Sequence, residues 1–156
     1  MGSAVELIEI KTDMAMVVVK SVPDKPGIAA ELFSHLGSAG FNILMITESK
    51  LSDNRADISF ALEDKDVEKA VAHLKNLSSL DKPEFLIKHK MGMLTVFGKK
   101  LSRQMGIAGK VFSILAQEAI NIEMISTSFS SISVLIEAPY LKPAKNLMNR
   151  EFGLDV

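Results

Sequence analysis

The run Asp24-Lys25-Pro26-Gly27-Ile28-Ala29 collects residue types that can hold a small zwitterion. Gly27 opens a helical pattern, and a glycine lets a ligand come close to the backbone. The N–H groups of Gly27, Ile28 and Ala29 then sit at a helix start. Orphan donors and the helix dipole favour an anion there, such as the carboxylate of a free amino acid. Asp24 is placed to receive an ammonium. Glu48, at the end of the next strand pattern, supplies a second carboxylate near the same cleft. The same residues also make an ordinary turn, with Asp24 as its cap, Pro23 and Pro26 stiffening it and Gly27 as a bend. Alone, the segment supports both readings.

The segment belongs to a larger repeat. Gly27 to Ser49 reads GIAAELFSHLGSAGFNILMITES, and Gly106 to Ser128 reads GIAGKVFSILAQEAINIEMISTS, an offset of 79 residues. Gly27, Ile28, Ala29, Phe33, Ser34, Leu36, Asn42, Ile43, Met45, Ile46 and Ser49 all recur. A self-match this long indicates a duplicated supersecondary unit. Two copies can build two related clefts. Asn42 and Asn121 hold equivalent places after the first helix of each copy. Each fits a left-handed C-cap, while recurrence in both halves favours a binding role. At the same offset Asp24 maps to Arg103 and Glu48 to Thr127. The first cleft is therefore predicted to be acidic and to prefer a cationic amino group, the second not.

The elements that position these residues follow from periodicity. Met14 to Val22 reads as a buried strand and PDKPG (residues 23–27) as a turn. Ile28, Leu32, Leu36 and Ala39 make a helical stripe stopped by Gly40. Ile43 to Lys50 is a strand, residues 52–54 a turn, and Arg55 to Leu62 an alternating strand. Asp64 to Leu77 is a second helix, and Glu84 to Lys90 a last strand. The order β-α-β-β-α-β is ferredoxin-like. The second copy runs through strand Met93 to Gly98, helix Gly106 to Ala119, strands Ile122 to Ser128 and Ile132 to Glu137, and a helix from Lys142 to Phe152. It lacks a final strand. Val5 to Lys11 is a spare strand ahead of the first copy, and a lone apolar strand needs a sheet. It is predicted to complete the second module, giving modules at residues 12–90 and at 91–156 plus 4–11.

Composition narrows the function. The chain has 156 residues, 47% of them hydrophobic, and a net charge of −1. It suits two small ordered modules with no broad electrostatic footprint for nucleic acid or anionic membrane. One Tyr and no Trp leave little for base stacking. Without cysteine there is no disulfide, thiol nucleophile or Cys-based metal site. This agrees with a cytoplasmic setting. The longest apolar stretch, Met14 to Val19, is too short to span a bilayer. There is no signal-type N-terminus, and Glu6 stands where a myristoylation pattern needs Ser or Thr. His35, His73 and His89 are not at metal spacing. Gly109-Lys110 fails as a phosphate loop, since Gln104 replaces the first glycine and Val111 the Ser or Thr. No metal and no cofactor are expected, and no paired nucleophile and base stands out.

The paired motifs PDKPGIAAELFSHLGSAGFNILMI and INIEMISTSFSSISVLIE closely resemble the tandem ACT regulatory region of aspartokinase, over about Val5 to Leu154. The resemblance implies an α+β fold of two ferredoxin-like βαββαβ ACT modules in tandem, with the N-terminal strand exchanged into the second. It implies binding of an amino-acid effector, lysine or threonine, and a signal passed to an aspartokinase catalytic domain or subunit. By resemblance Asp24, Pro26, Gly27, Ile28, Ala29 and Glu48 contact the effector from one module, and Asn121 and Ile122 from the other. A pseudo-symmetric cleft would use Gly106, Ile107, Ala108, Thr127 and Ser128 with Asn42 and Ile43. Glu48 stands where the family has Gln, which favours a basic effector such as lysine. Phe129 follows S-T-S where the family often has an acidic residue, which argues against an amino acid in the second cleft.

The expected function is thus non-catalytic amino-acid sensing, in a homodimer formed through open sheet edges. No element is left over for a nucleotide site. The chain would be a stand-alone regulatory subunit or the regulatory part of an aspartate kinase. The alternatives are an interaction module that binds no small molecule, and an acylphosphatase-type enzyme. The latter would want an Arg–Asn pair, which the spacing of Arg103 and Asn121 suits poorly.

Overall fold

A computed structural model describes residues 3–154. Gly2, on which a myristoylation reading turns, and Asp155 and Val156 at the end of the expected second module lie outside the described residues. The chain forms two compact units, one spanning Asp13–His89 and the other made of residues up to Thr12 together with those from Lys90 onward.

The Asp13–His89 unit contains most of β1 (Leu7–Pro23), α1 (Ile28–Ser38), β2 (Met45–Lys50), β3 (Arg55–Glu63), α2 (Val67–Lys75) and the start of β4 (Glu84–Phe97). Its strands lie in the order β2-β3-β1-β4, with β3 antiparallel to both β1 and β2. Period-two alternation puts Ile58, Phe60 and Leu62 of β3 on one face, beside Ala15, Val17 and Val19 of β1. The stripe Ile28, Leu32 and Leu36 of α1, and Val67, Ala70, Val71 and Leu74 of α2, cover that face. Phe33 meets Phe60 edge to face at 5.8 Å. The expected helix over 64–77 begins instead as a single 3-10 turn, Asp64–Asp66.

The second unit repeats the plan with α3 (Ile107–Gln117), β5 (Met124–Thr127), β6 (Ser131–Glu137) and α4 (Leu141–Glu151). Pro143 falls in the first turn of α4, where a missing N–H costs nothing. The strand order is β1-β4-β6-β5, so the N-terminal part of β1 supplies the missing fourth strand. The Glu6 N–H donates to the Phe97 carbonyl at 2.8 Å and the Ala4 N–H to Gln104 Oε1 at 2.8 Å. Val5 and Ile8 are buried in one cluster with Leu94, Val111, Leu115 and Met148. Leu7 is 48% exposed. The buried face of the strand is that of Ile8, with Ile10 packed beside it and Val5 ahead of the strand start.

Two expected breaks are absent. Val5 to Lys11 and Met14 to Val22 run into a single strand, β1, and Glu84 to Lys90 continues into Met93 to Gly98 as β4. At each passage between units one residue is left-handed: Asp13 with φ 59 and Lys90 with φ 57. A single left-handed residue need not end a strand, as at a bulge.

Candidate functional site

A bulge aims the end of β1. The register with β3 shifts between Val19 and Val22, with Ser21 at φ 51. The Ser21 N–H donates to Asp57 Oδ1 at 2.8 Å, and Arg55 Nε donates to Ser21 Oγ at 3.2 Å. The strand then resumes, pairing Val22 with Ala56 and Pro23 with Arg55. The Asp24 N–H donates to the Asn54 carbonyl at 2.7 Å, which fixes the root of the loop. Gly27 caps α1 with φ 94, and a Cβ there would meet nothing within 4 Å. Backbone angle, not space, is what calls for glycine. No side chain caps α1. The Ile28 N–H makes only a long bond, 3.3 Å, to the Lys25 carbonyl. The first turn therefore presents donors to whatever lies in front of it.

What lies in front is a cleft of about 480 Å³, lined by the 22–29 segment with Glu48, Lys50, Ala56 and Ile58. The fold thus brings Glu48 together with Asp24, Pro26, Gly27, Ile28 and Ala29 of the loop and helix start. Asn121 and Ile122 belong to the other unit. Lys50, which the motif reading did not single out, lies at the centre of the charge pattern. Its Nζ donates to both carboxylate oxygens of Asp24 at 2.9 Å and lies 3.4 Å from Glu48 Oε1. The hydrogen bond to Asp24 first, and that to Glu48 second, hold its pKa above the ordinary lysine value of 10.5. Lys25 also lines the cleft. The cleft expected to be acidic thus holds two carboxylates with the Lys50 ammonium between them. One signal was available. Lys50 is two residues after Glu48 on β2, and so shares its face.

The second unit holds a smaller cleft of about 280 Å³ at the equivalent place. Gly106, Ile107, Ala108, Thr127 and Ser128 line it, with Leu101, Ser102, Gln104 and Ile132. Gly106 repeats the left-handed cap, φ 85. Arg103 does not line it, and no lining residue carries a charged side chain. The Ser128 hydroxyl is engaged with that of Ser131 at 2.8 Å. Asn42 and Ile43 belong to the first unit. Where the first copy has Lys50 the second has Phe129, 84% exposed, and where the first has Pro26 the second has Met105, 96% exposed.

Neither Asn42 nor Asn121 has a positive φ; the left-handed helix ends are Gly40 (φ 91) and Ala119 (φ 55), two residues earlier. The C-cap reading of the asparagines is therefore corrected. Asn121 Nδ2 instead faces Glu123 Oε1 at 3.4 Å. The His35 and His89 rings have local partners: His35 Nε2 lies 3.2 Å from the His73 carbonyl, and His89 Nδ1 pairs with Asp64.

The sequence pattern of the ACT domain matches residues 16–77 and 94–152. The chain belongs to the ACT domain family. The two matched segments correspond to the two units. An aspartate kinase of Pseudomonas putida is 31% identical over 149 residues, covering 95% of this chain and 36% of that protein. The chain thus spans about a third of the length of the curated relatives it matches. Among solved structures, the ligand-free regulatory subunit of aspartate kinase from Thermus thermophilus superposes with a TM-score of 0.88 at 27% identity, over 96% of this chain and 99% of that one. A structure of aspartokinase alpha and beta subunits gives 0.87 at 29% identity, with coverage of 96% and 99%. This ACT pair therefore resembles the regulatory region of aspartokinases in both sequence and fold, and no described helix is long and apolar enough to cross a membrane.

Proposed function

We propose that this ACT pair is the regulatory part of an aspartokinase and senses a free amino acid in the cleft of its first unit. The observation that carries the reading is the meeting of an uncapped helix start at Gly27–Ala29 with the carboxylates of Asp24 and Glu48 in one cleft. The effector carboxylate would lie against the first-turn N–H groups of α1, and its α-ammonium against Asp24. The effectors that the resemblance offers are lysine and threonine. The reading gives the chain no catalytic step. It places the kinase chemistry in a catalytic domain or partner subunit and the protein in the cytoplasm. Effector binding changes the regulatory equilibrium only by its differential affinity for two states. The exposed Ile46 on edge strand β2 and Ile125 on edge strand β5, 51% and 43% exposed and equivalent in the repeat, support a homodimer built on those edges.

Calorimetric titration with lysine, threonine and the other amino acids tests the reading. Saturable heat with a thermal shift is expected. Neither heat nor shift at millimolar ligand would sink it. That outcome would favour a second reading, an interaction module without a small-molecule ligand. The exposed Met105 and Phe129 beside the second cleft support that alternative.

A further inference from the structure

We propose that Lys50 is a selectivity residue: by pairing with Asp24 and Glu48 it sets the first cleft against amino acids with cationic side chains. The inference rests on the sensor reading and deepens it. Asp24 and Glu48 alone would give a cleft of charge −2, which welcomes an effector carrying an extra ammonium. Lys50 cancels one charge by direct contact, 2.9 Å from both oxygens of Asp24 and 3.4 Å from Glu48, and Lys25 is a further lining residue. A zwitterion of zero net charge can still place its α-ammonium on Asp24, because a carboxylate has about four acceptor positions. A second ammonium on the effector's side chain must either lie beside the Lys50 ammonium or displace it. Both are unfavourable relative to a neutral side chain.

Lys50 is well placed for this part. Its side chain is 70% exposed and lies on the final residue of β2, so no core packing depends on it. It can swing out and return. The same exposure limits the effect, since water screens the pair. The repeat points the same way. The equivalent residue in the second copy is Phe129, and the equivalents of Asp24 and Glu48 there are Arg103 and Thr127. All three members of the charge cluster are replaced together, as expected of a unit with one task.

The test is calorimetric titration of the full chain with L-threonine, L-lysine and L-norleucine, which lacks only lysine's terminal ammonium. Wild type, Lys50→Met and Lys50→Arg are compared at low ionic strength. Lys50→Met should strengthen lysine relative to the neutral ligands by about three- to tenfold. The gain should shrink with added salt. Lys50→Arg should keep the wild-type ratio. If wild type binds an amino acid and Lys50→Met leaves the lysine ratio unchanged, the selectivity role is overturned and the sensor reading stands. If none of the three proteins binds any of these ligands, both are overturned.

Discussion

Lys50 Nζ lies 2.9 Å from each carboxylate oxygen of Asp24, so the residue best placed to receive an effector's ammonium already holds one from its own chain. The contact joins the β1–α1 loop to the end of β2 and closes one side of the cleft. Its pH behaviour follows from the raised lysine pKa. A raised folded-state pKa contributes stability that is fully present below the unfolded value, 10.5, and lost as pH rises through the folded one. The difference in urea midpoint between wild type and Lys50→Met should therefore be constant at neutral pH and vanish above that window. A carbon-13 titration of the Lys50 Cε should give a midpoint above those of fully solvated lysines. Asp24→Asn should bring it down. A midpoint unmoved by Asp24→Asn would remove the pair from solution.

Asp24→Ala should weaken amino-acid binding without unfolding the protein. Asp24 sits in a surface loop, and its backbone N–H bond to Asn54 does not depend on the side chain. A charge-assisted hydrogen bond is worth about 1.5–3 kcal/mol, so the loss should be tenfold or more. Calorimetry beside a thermal melt checks both halves. Unchanged affinity would place the ammonium elsewhere.

Ala119 should be improvable. It holds the left-handed helix end, φ 55, that Gly40 holds in the first copy, φ 91. An alanine there is strained, and Ala119→Gly should raise stability by about 0.5–1 kcal/mol. The converse, Gly40→Ala, should lower it by about 1 kcal/mol, although a Cβ at Gly40 would meet nothing within 4 Å. Urea midpoints at constant m-value decide both. Equal midpoints for Ala119→Gly and wild type would refute the strain.

Removing residues 1–11 should unfold the second unit and spare the first. Val5 and Ile8 are 2% and 1% exposed in the core that also holds Val111 and Leu115. Losing two such side chains costs about 3–6 kcal/mol, comparable to the whole stability of a small unit. Hydrogen exchange should show α3 and α4 unprotected while α1 and α2 stay protected. Gly98→Ala offers a gentler version, since its Cβ would run into the Ala4 carbonyl. Persistent protection in α3 after truncation would contradict the assignment.

The sequence disclosed most of this scaffold because its strongest signals are local and repeated. The stripes Ile28–Leu32–Leu36 and Ile107–Val111–Ile114 needed only helical periodicity, and the spare N-terminal strand was exposed by counting elements against the repeat. What stayed hidden depends on backbone angle or on side chains meeting across strands. Thr12-Asp13 and Met91-Gly92 read as breaks, because no local rule says that a strand will run on past a left-handed residue such as Asp13 or Lys90. By residue type Asn42 and Asn121 suit a helix end as well as a binding role, while Gly40 and Ala119 hold the left-handed positions. The cleft's charge balance does not follow from the motif residues, because Lys50 lies outside the motif and meets Asp24 and Glu48 only in the fold.

The exchanged strand also fixes an order of events in biosynthesis. Residues 5–12 leave the ribosome before the first unit, while their partners on β4, α3 and β6 are made after it; Ala4 and Gln104 are 100 positions apart. The first unit can close while its own leading segment waits, apolar and unpaired, for the remainder of the chain. Such a segment is a natural client for a chaperone near the tunnel exit, and its late docking would set the pace of maturation.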